Sequence, residues 1–169
     1  MLRAASLAVL TLLSGAAARP GSAWEEIAWP FPRDAWPAGR AFRAQGIEVF
    51  VRPKLGFCNC TAGVTGDAEV DAVSDVDMLS PDFTGRSEGE QVRVAGLDGR
   101  ARTYAVPTSA GPVTATGYAL SSRCDLVVAV ARGTRAPDHQ RVAGLLESDL
   151  VAPWIAARLG LAPTRITSR

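Results

Sequence analysis

Four short segments rich in strand-forming residues, separated by turn signals, restrict the fold more than any other feature of this sequence. Residues 91–95 and 102–106 flank Asp98-Gly99, and residues 113–120 and 126–131 flank a short polar stretch. Asp-Gly is a strong signal for a two-residue hairpin turn. Because hairpins that follow one another along a chain pair antiparallel, these segments predict an antiparallel sheet.

The remaining elements complete a mixed fold. Residues 47–51 (I-E-V-F-V) predict a further strand, and Arg52-Pro53-Lys54 is expected to end it or to mark it as an edge strand. Residues 67–79 predict a helix. Two more helices are expected after Asp138, broken by Pro153 and meeting near Ser148. The predicted class is α+β, an antiparallel sheet of about five strands with helices packed on one face, in the order β-α-β-β-β-β-α-α.

The first 23 residues have the layout of a secretory signal peptide. A positive start at Arg3 precedes an uncharged, mostly apolar run over residues 4–18, and small residues follow at Ala16-Ala17-Ala18 and Gly21-Ser22-Ala23. The predicted organisation is a signal peptide (1–23), a Trp/Pro-rich extended arm (24–45), a single α+β domain (46–162) and a flexible tail (163–169). No other long apolar stretch predicts a transmembrane segment after signal removal.

The net charge and the composition limit the expected binding partners and the expected cellular location. Without Arg3 and Arg19, the 18 basic residues become 16, against 17 acidic ones. This balance gives no basic face for nucleic acid, so no nucleic-acid partner is expected. The strong preference for arginine over lysine suggests a GC-rich bacterial genome. The expected location is therefore the bacterial periplasm or the outside of the cell.

The arm carries three tryptophans, Trp24, Trp29 and Trp36, interleaved with prolines that exclude a helix. Two interpretations follow from this pattern. The indoles either plug the edge of the core or form an exposed strip that meets a partner, since tryptophan combines an apolar body with a hydrogen-bond donor.

Three cysteines, Cys58, Cys60 and Cys124, give the main site hypothesis. In an oxidising compartment two of them are expected to pair. A Cys-x-Cys bridge closes a very small ring, so a bond from Cys58 or Cys60 to Cys124 is the easier structure. It would tie the loop after the first predicted strand to the turn before the last one and would leave one odd thiol.

The same cysteines allow two other chemistries. As thiolates, all three could bind a soft metal, for which copper(I) is the best fit because it accepts two or three sulfurs. Alternatively, Cys58 or Cys60 could act in thiol exchange or as the nucleophile of a thiol-dependent enzyme. The oxidoreductase spacing Cys-x-x-Cys is absent, and no other catalytic residue is assigned.

The arginines, the acidic residues and the single histidine have mostly structural interpretations. Arg93, Arg100 and Arg102 fall on the predicted hairpins and form either a polar outer sheet face or a docking face for an acidic partner or anionic ligand. The acidic run from Asp67 to Asp77 is expected to be the solvated face of a helix. His139, the single histidine, is expected at an exposed helix start.

These observations favour an exported, small, non-catalytic binding or accessory protein. Its site is expected at the Cys58–Cys60 loop with Cys124 tied to it or close by, with a soft metal as one ligand and an envelope protein as one partner. The alternatives left open are a thiol-dependent enzyme or thiol-exchange protein, and a structural envelope component stapled by a disulfide.

Overall fold

The computed structural model describes residues 24–56 and 63–161. Within these residues the chain forms eight strands, three α-helices and one 3-10 turn at Val76–Met78. The strands are β1 (Glu25–Ile27), β2 (Arg40–Ala44), β3 (Ile47–Lys54), β4 (Thr84–Gly85), β5 (Glu90–Val94), β6 (Leu97–Val106), β7 (Val113–Ser122) and β8 (Asp125–Gly133). The helices are α1 (Asp67–Val73), α2 (His139–Leu146) and α3 (Ala152–Arg158).

All described strands belong to one antiparallel sheet in the order β1-β2-β3-β8-β7-β6-β4, with β5 also paired to β6. The predicted α+β class and antiparallel pairing are confirmed. The predicted count of about five strands and the predicted order are wrong. The segment 24–45, expected to be an arm, contributes β1 and β2 to the sheet, and the short β4 adds a further strand.

Strand β3 lies inside the sheet, between β2 and β8, and extends through Arg52-Pro53-Lys54. The expectation that these three residues end the strand is therefore wrong, and β3 as a whole is not an edge strand. The ladder with β2 reaches only as far as the pair Arg40 and Val51. Pro53 thus lies where one side of β3 is uncovered, which is a place where a sheet tolerates a residue without an N–H.

The β5–β6 hairpin turns at Ala95-Gly96, three residues before the predicted Asp98-Gly99. Both turn residues have positive φ, 53° and 77°, as a type I′ turn requires. Gly99 is not a turn residue but lies within β6. A Cβ there would lie 2.1 Å from the carbonyl oxygen of Ala119 on β7. Glycine at this position therefore allows β6 and β7 to approach closely. The Asp-Gly signal predicted the correct hairpin but placed its turn at the wrong residues.

Helices cover both faces of the sheet, so the expectation of helices on one face is wrong. Helices α2 and α3 pack Val142, Leu145 and Ile155 against one face, in a core that includes Phe42 and Tyr118. Helix α1 covers the other face. Because strand side chains alternate, each central strand supplies residues to both cores.

The α1 side of the sheet carries two further apolar clusters. Val70 and Val73 of α1 pack against Ala119, Leu126 and Val128. Beside them, Phe50 and Tyr104 pack with the 3-10 turn and with the arm residues Trp29 and Phe31.

The helix boundaries also depart from the sequence pattern. The predicted helix 67–79 ends at Val73, and Asp75 takes a left-handed conformation (φ 64°) before the 3-10 turn. The two predicted C-terminal helices are present, and Pro153 lies in the first turn of α3, where a missing N–H is tolerated. None of the helices within residues 24–56 and 63–161 is long and apolar enough to cross a membrane.

The predicted signal peptide (1–23) and the predicted tail (163–169) lie outside the described residues.

Candidate functional site

The β7–β8 turn is the centre of the candidate site. Ser122 pairs with Asp125 across the two strands, so Arg123 and Cys124 form a two-residue turn. Cys124 is disulfide-bonded. Arg123 has a φ of 56°, a conformation that favours glycine at the start of a two-residue hairpin turn. Cys58 and Cys60 lie outside the described residues.

The two described residues that border the segment 57–62 are both held at this turn. The amide N–H of Gly56 donates to Asp125 Oδ1 at 2.7 Å. Gly63 lies against the Ser121 side chain, and the amide N–H of the next residue, Val64, donates to Ser121 Oγ at 3.1 Å. The described residues on both sides of the segment 57–62 are therefore hydrogen-bonded to the turn that contains Cys124.

A cavity of about 270 Å³ opens between α1 and this turn, and we call it the α1 cleft. Its described walls are mostly apolar. Val73 and Leu126 form its buried floor, whereas Ala68 and Ala72, separated by a single helical turn, form an exposed wall. The other described lining residues are Gly63, Val64, Glu69, Ser121 and Arg123.

The polar side chains that line the α1 cleft differ in whether they have hydrogen-bond partners. Glu69 Oε2 accepts the backbone N–H groups of Thr65 and Gly66 at 2.5 and 3.0 Å, which caps the N-terminus of α1. Ser121 accepts the Val64 N–H. The Arg123 guanidinium forms neither an ion pair nor a hydrogen bond with any described residue.

A second, more polar cavity of about 430 Å³ adjoins the α1 cleft. It shares Gly63, Val64 and Ser121 with the cleft and extends over the ends of β5 and β6. There Arg93 and Asp98 form an ion pair at 3.1 Å with both side chains mostly exposed. Such a pair contributes little to stability.

Two of the three arginines predicted to form a sheet face or docking face instead fix α1 to the sheet. Arg100 contacts Asp67 at 2.8 Å, and Arg102 contacts Asp71 at 2.6 Å. Tyr104 donates its hydroxyl to Asp71 at 2.7 Å. The pKa of Asp67 is lowered by its hydrogen bonds, most strongly by the one from the Gly89 N–H and next by the one from the Arg100 guanidinium. The acidic face of α1, expected to be solvated, thus binds the sheet.

The three tryptophans are half-buried and each contacts another region of the molecule. Trp29 packs edge-to-face on Phe50, with ring centroids 6.2 Å apart. Trp36 lies near the Lys54 ammonium group, and Trp24 near the Arg141 guanidinium. Trp24 and Trp29 pack against the core, as expected if the indoles plug its edge. The Trp36 contact is with a charged group, so it does not test that interpretation.

A group of four charged residues, three of them buried, lies on the α1 side of the sheet, and we call it the Arg52 cluster. Arg52 donates to Asp75 through Nε at 2.6 Å and to Asp34 through Nη1 and Nη2 at 2.8 and 2.7 Å. Lys54 Nζ contacts Asp75 Oδ1 at 2.6 Å and donates to the Val73 carbonyl at 2.9 Å. The cluster joins the arm, strand β3 and the end of α1.

The electrostatics of the Arg52 cluster follow from its hydrogen bonds. Arg52 is 2% exposed, and Lys54 and Asp75 are each 5% exposed. The Arg52 hydrogen bond lowers the pKa of Asp34 from 3.8 to about 2. Sequence reasoning missed this cluster. The available signal was a pair of cations, Arg52 and Lys54, two residues apart and therefore on one face of a strand.

The single histidine lies apart from the candidate site. His139 begins α2 and stacks on Tyr118, whose hydroxyl is 3.3 Å from His139 Nδ1. Tyr118 belongs to the core beneath α2 and α3, on the face opposite α1. The structure thus places the histidine and the α1 cleft on different sides of the sheet.

Comparisons with known proteins give a distant structural likeness. No family model matches the chain, and no curated protein matches it. Among solved structures, the chain is similar to PA94, a protein of unknown function from Pseudomonas aeruginosa, with 13% sequence identity and a TM-score of 0.34 over 88% of each chain.

Proposed function

We propose that the chain is an exported, small, non-catalytic binding protein whose site is the α1 cleft. In this proposal a disulfide from Cys58 or Cys60 to Cys124 links the segment 57–62 to the β7–β8 turn, which lines the cleft. The expected location is the periplasm or the outside of a bacterial cell, as the signal-like residues 1–23 suggest.

The observation that carries the proposal is the joint anchoring of residues 56 and 63–64 at the β7–β8 turn. Gly56 is bonded to Asp125, and Val64 to Ser121, one on each side of the disulfide-bonded Cys124. The chain has two other cysteines, and both lie between these anchors in sequence. A short tether of this kind supports pairing of Cys124 with one of them.

The oxidised state of Cys124 bears on the two thiolate hypotheses. A sulfur in a disulfide is not a thiolate, so Cys124 in this state does not supply the third ligand of the copper(I) hypothesis. A thiol-dependent enzyme would also need a base, and His139 lies on the opposite side of the sheet, against Tyr118. Neither hypothesis gains support from the described geometry.

The cysteine pairing is tested by peptide mapping of protein purified from the periplasm without reductant. The expected result is a peptide containing residue 124 linked to the peptide containing residues 58 and 60, with one alkylated thiol per chain. Three alkylated thiols would contradict the proposal. Sequencing the N-terminus of the same material tests export, since cleavage after Ala18 or Ala23 is expected.

The cleft is tested with 1-octanol as a neutral apolar probe, followed by NMR of methyl-bearing residues. Octanol is expected to shift the resonances of Val64, Val73 and Leu126. Ala72→Phe places a ring in the cleft from an exposed helix position, so it should remove these shifts without loss of the fold. Octanol shifts that are absent, or that persist in the Ala72→Phe variant, would contradict a binding site at this cleft.

A further inference from the structure

We infer that the α1 cleft binds a small amphipathic anion, a molecule with an apolar chain or ring and one carboxylate, and that Arg123 receives the carboxylate. This inference rests on the proposed function and adds the chemical class of the ligand. It combines the apolar walls of the cleft with an exposed, charged side chain that also lines it.

The size and chemistry of the walls define the apolar portion of the ligand. The cleft volume of about 270 Å³ lies just below the range of ~300–1,000 Å³ for sites that hold drug-sized molecules. At about 30 Å³ per water-sized group, it holds roughly nine groups. Val73 and Leu126 offer an apolar floor, so an aliphatic chain of this size would lose contact with water there.

Arg123 supplies the charged component of the recognition. Its side chain lines the cleft, is exposed and has no ion pair within the described residues. By contrast, Arg100 and Arg102 near the same helix are each paired with an aspartate of α1. A planar guanidinium binds a carboxylate through two parallel hydrogen bonds, which favours a carboxylate over a neutral head group.

The backbone at Arg123 has a positive φ, as Ala95 has at the first position of the β5–β6 turn. Its φ of 56° is one that glycine adopts with less strain, yet the position carries a long cationic side chain. The neighbouring disulfide at Cys124 holds the turn, so the guanidinium starts from a fixed backbone position.

The acidic groups near the cleft already have donors. Glu69 accepts hydrogen bonds from Thr65 and Gly66, at the positive end of the α1 dipole. Asp125 accepts the N–H of Gly56. Both carboxylates are therefore partly neutralised by backbone N–H groups, and neither of them forms an ion pair with the Arg123 guanidinium among the described residues.

The inference is tested by titrating the intact protein with octanoate, 1-octanol and octylammonium, which share the apolar chain and differ in the head group. Octanoate is expected to bind at least about fivefold more tightly than octanol, on the scale of a charge-assisted hydrogen bond at a partly exposed site. Octylammonium should bind more weakly than octanol. Calorimetry at low salt measures all three dissociation constants.

Matched variants separate a direct contact from a general charge effect. Arg123→Gln should bring the octanoate affinity down to that of octanol, and Arg123→Lys should retain some of the difference. Arg158→Gln makes the same charge change on α3, on the other side of the sheet, and should leave the octanoate preference intact. Unchanged melting temperatures establish that all three variants fold.

Each outcome bears on a distinct claim. Equal affinity for octanoate and octanol in the wild type, or an equal loss in the Arg123→Gln and Arg158→Gln variants, would overturn the carboxylate inference. Octanol binding that is blocked by Ala72→Phe would leave the proposed function standing in that case. Failure of both octanol and octanoate to bind would overturn the proposed function and the inference together.

Discussion

The Arg52 cluster and the α1 cleft lie on the same face of the sheet, and they treat an arginine in opposite ways. Arg52 is 2% exposed and contacts two aspartates. Arg123 is exposed and has no ion pair among the described residues. A buried charge requires partners because its desolvation cost is high, whereas an exposed charge can stay unpaired.

This difference predicts different roles for the Arg52 cluster and the α1 cleft. In the Arg52 cluster every charged group has a partner in the protein, so the cluster joins three segments and leaves little capacity for a ligand. In the cleft, the described walls are mostly apolar and the Arg123 guanidinium has no ion pair with a described residue, so apolar contact and ion pairing are both open to a ligand there. Variants of the first region should change stability, and variants of the second should change binding.

The largest effect is expected from Asp75→Asn. Asparagine tolerates the left-handed conformation of residue 75, so the substitution removes the charge without adding backbone strain. Arg52 and Lys54 would then remain buried with one fewer counter-charge. The expected loss in the free energy of unfolding is about 3–5 kcal/mol, measured by urea denaturation.

Asp98→Asn is the matched control, because Asp98 pairs with Arg93 in an exposed ion pair. Its cost should stay below about 1 kcal/mol. Similar losses in the two variants would show that burial does not distinguish these ion pairs.

Cys124→Ser is expected to have the next largest effect. If Cys124 closes a loop of some 65 residues with Cys58 or Cys60, the lost constraint on the unfolded chain costs about 2–4 kcal/mol. The measurement is the urea midpoint with and without reductant. Reductant should lower the wild-type midpoint to that of the variant and should leave the variant unchanged; a wild-type midpoint insensitive to complete reduction would contradict a stabilising bridge.

Local sequence signals predicted the elements whose partners are close in the chain. The hairpins β5–β6 and β7–β8 and the break between α2 and α3 follow from strand composition, turn residues and Pro153. The strands β1 and β2 were missed because they are short, contain few strand-forming residues and flank a stretch rich in tryptophan and proline. Their pairing comes from the sheet and not from local preference.

The candidate site was only partly predictable. The three cysteines pointed to the β7–β8 turn, since Cys124 lies between two predicted strands. The cleft wall combines Ala68 and Ala72 of α1 with Leu126 of β8, residues more than 50 positions apart that only the fold brings together. The Arg52 cluster was hidden for the same reason, because Asp34 and Asp75 are 18 and 23 positions from Arg52.

A smaller effect, dependent on pH, is expected from Asp34→Asn at the edge of the Arg52 cluster. The pKa of Asp34 is lowered from 3.8 to about 2 by its hydrogen bond from Arg52. Because the folded-state value lies below the unfolded one, the stabilisation is present above pH 3.8 and is lost as the pH falls towards 2. The side chain is 40% exposed, so screening limits the contribution to about 1 kcal/mol.

The measurement is the free energy of unfolding of the wild type and Asp34→Asn between pH 7 and pH 2. The two curves should be separated at neutral pH and should converge near pH 2. Asparagine can still accept the Trp36 N–H, which isolates the charge. A constant separation across this range would show that the Asp34 charge is not responsible.

The smallest change in stability is expected at the cleft, from Arg123→Gly. Glycine adopts the φ of 56° without the strain of a side chain, while the unfolded glycine chain gains entropy. The two effects oppose each other, so the free energy of unfolding should change by less than about 1 kcal/mol. Thermal denaturation of the oxidised protein measures this change. A loss as large as that of Asp75→Asn would mean that Arg123 supports the fold as Arg52 does, and the contrast between the two regions would fail. A near-neutral result combined with lost octanoate preference would separate stability from ligand recognition on one face of the sheet.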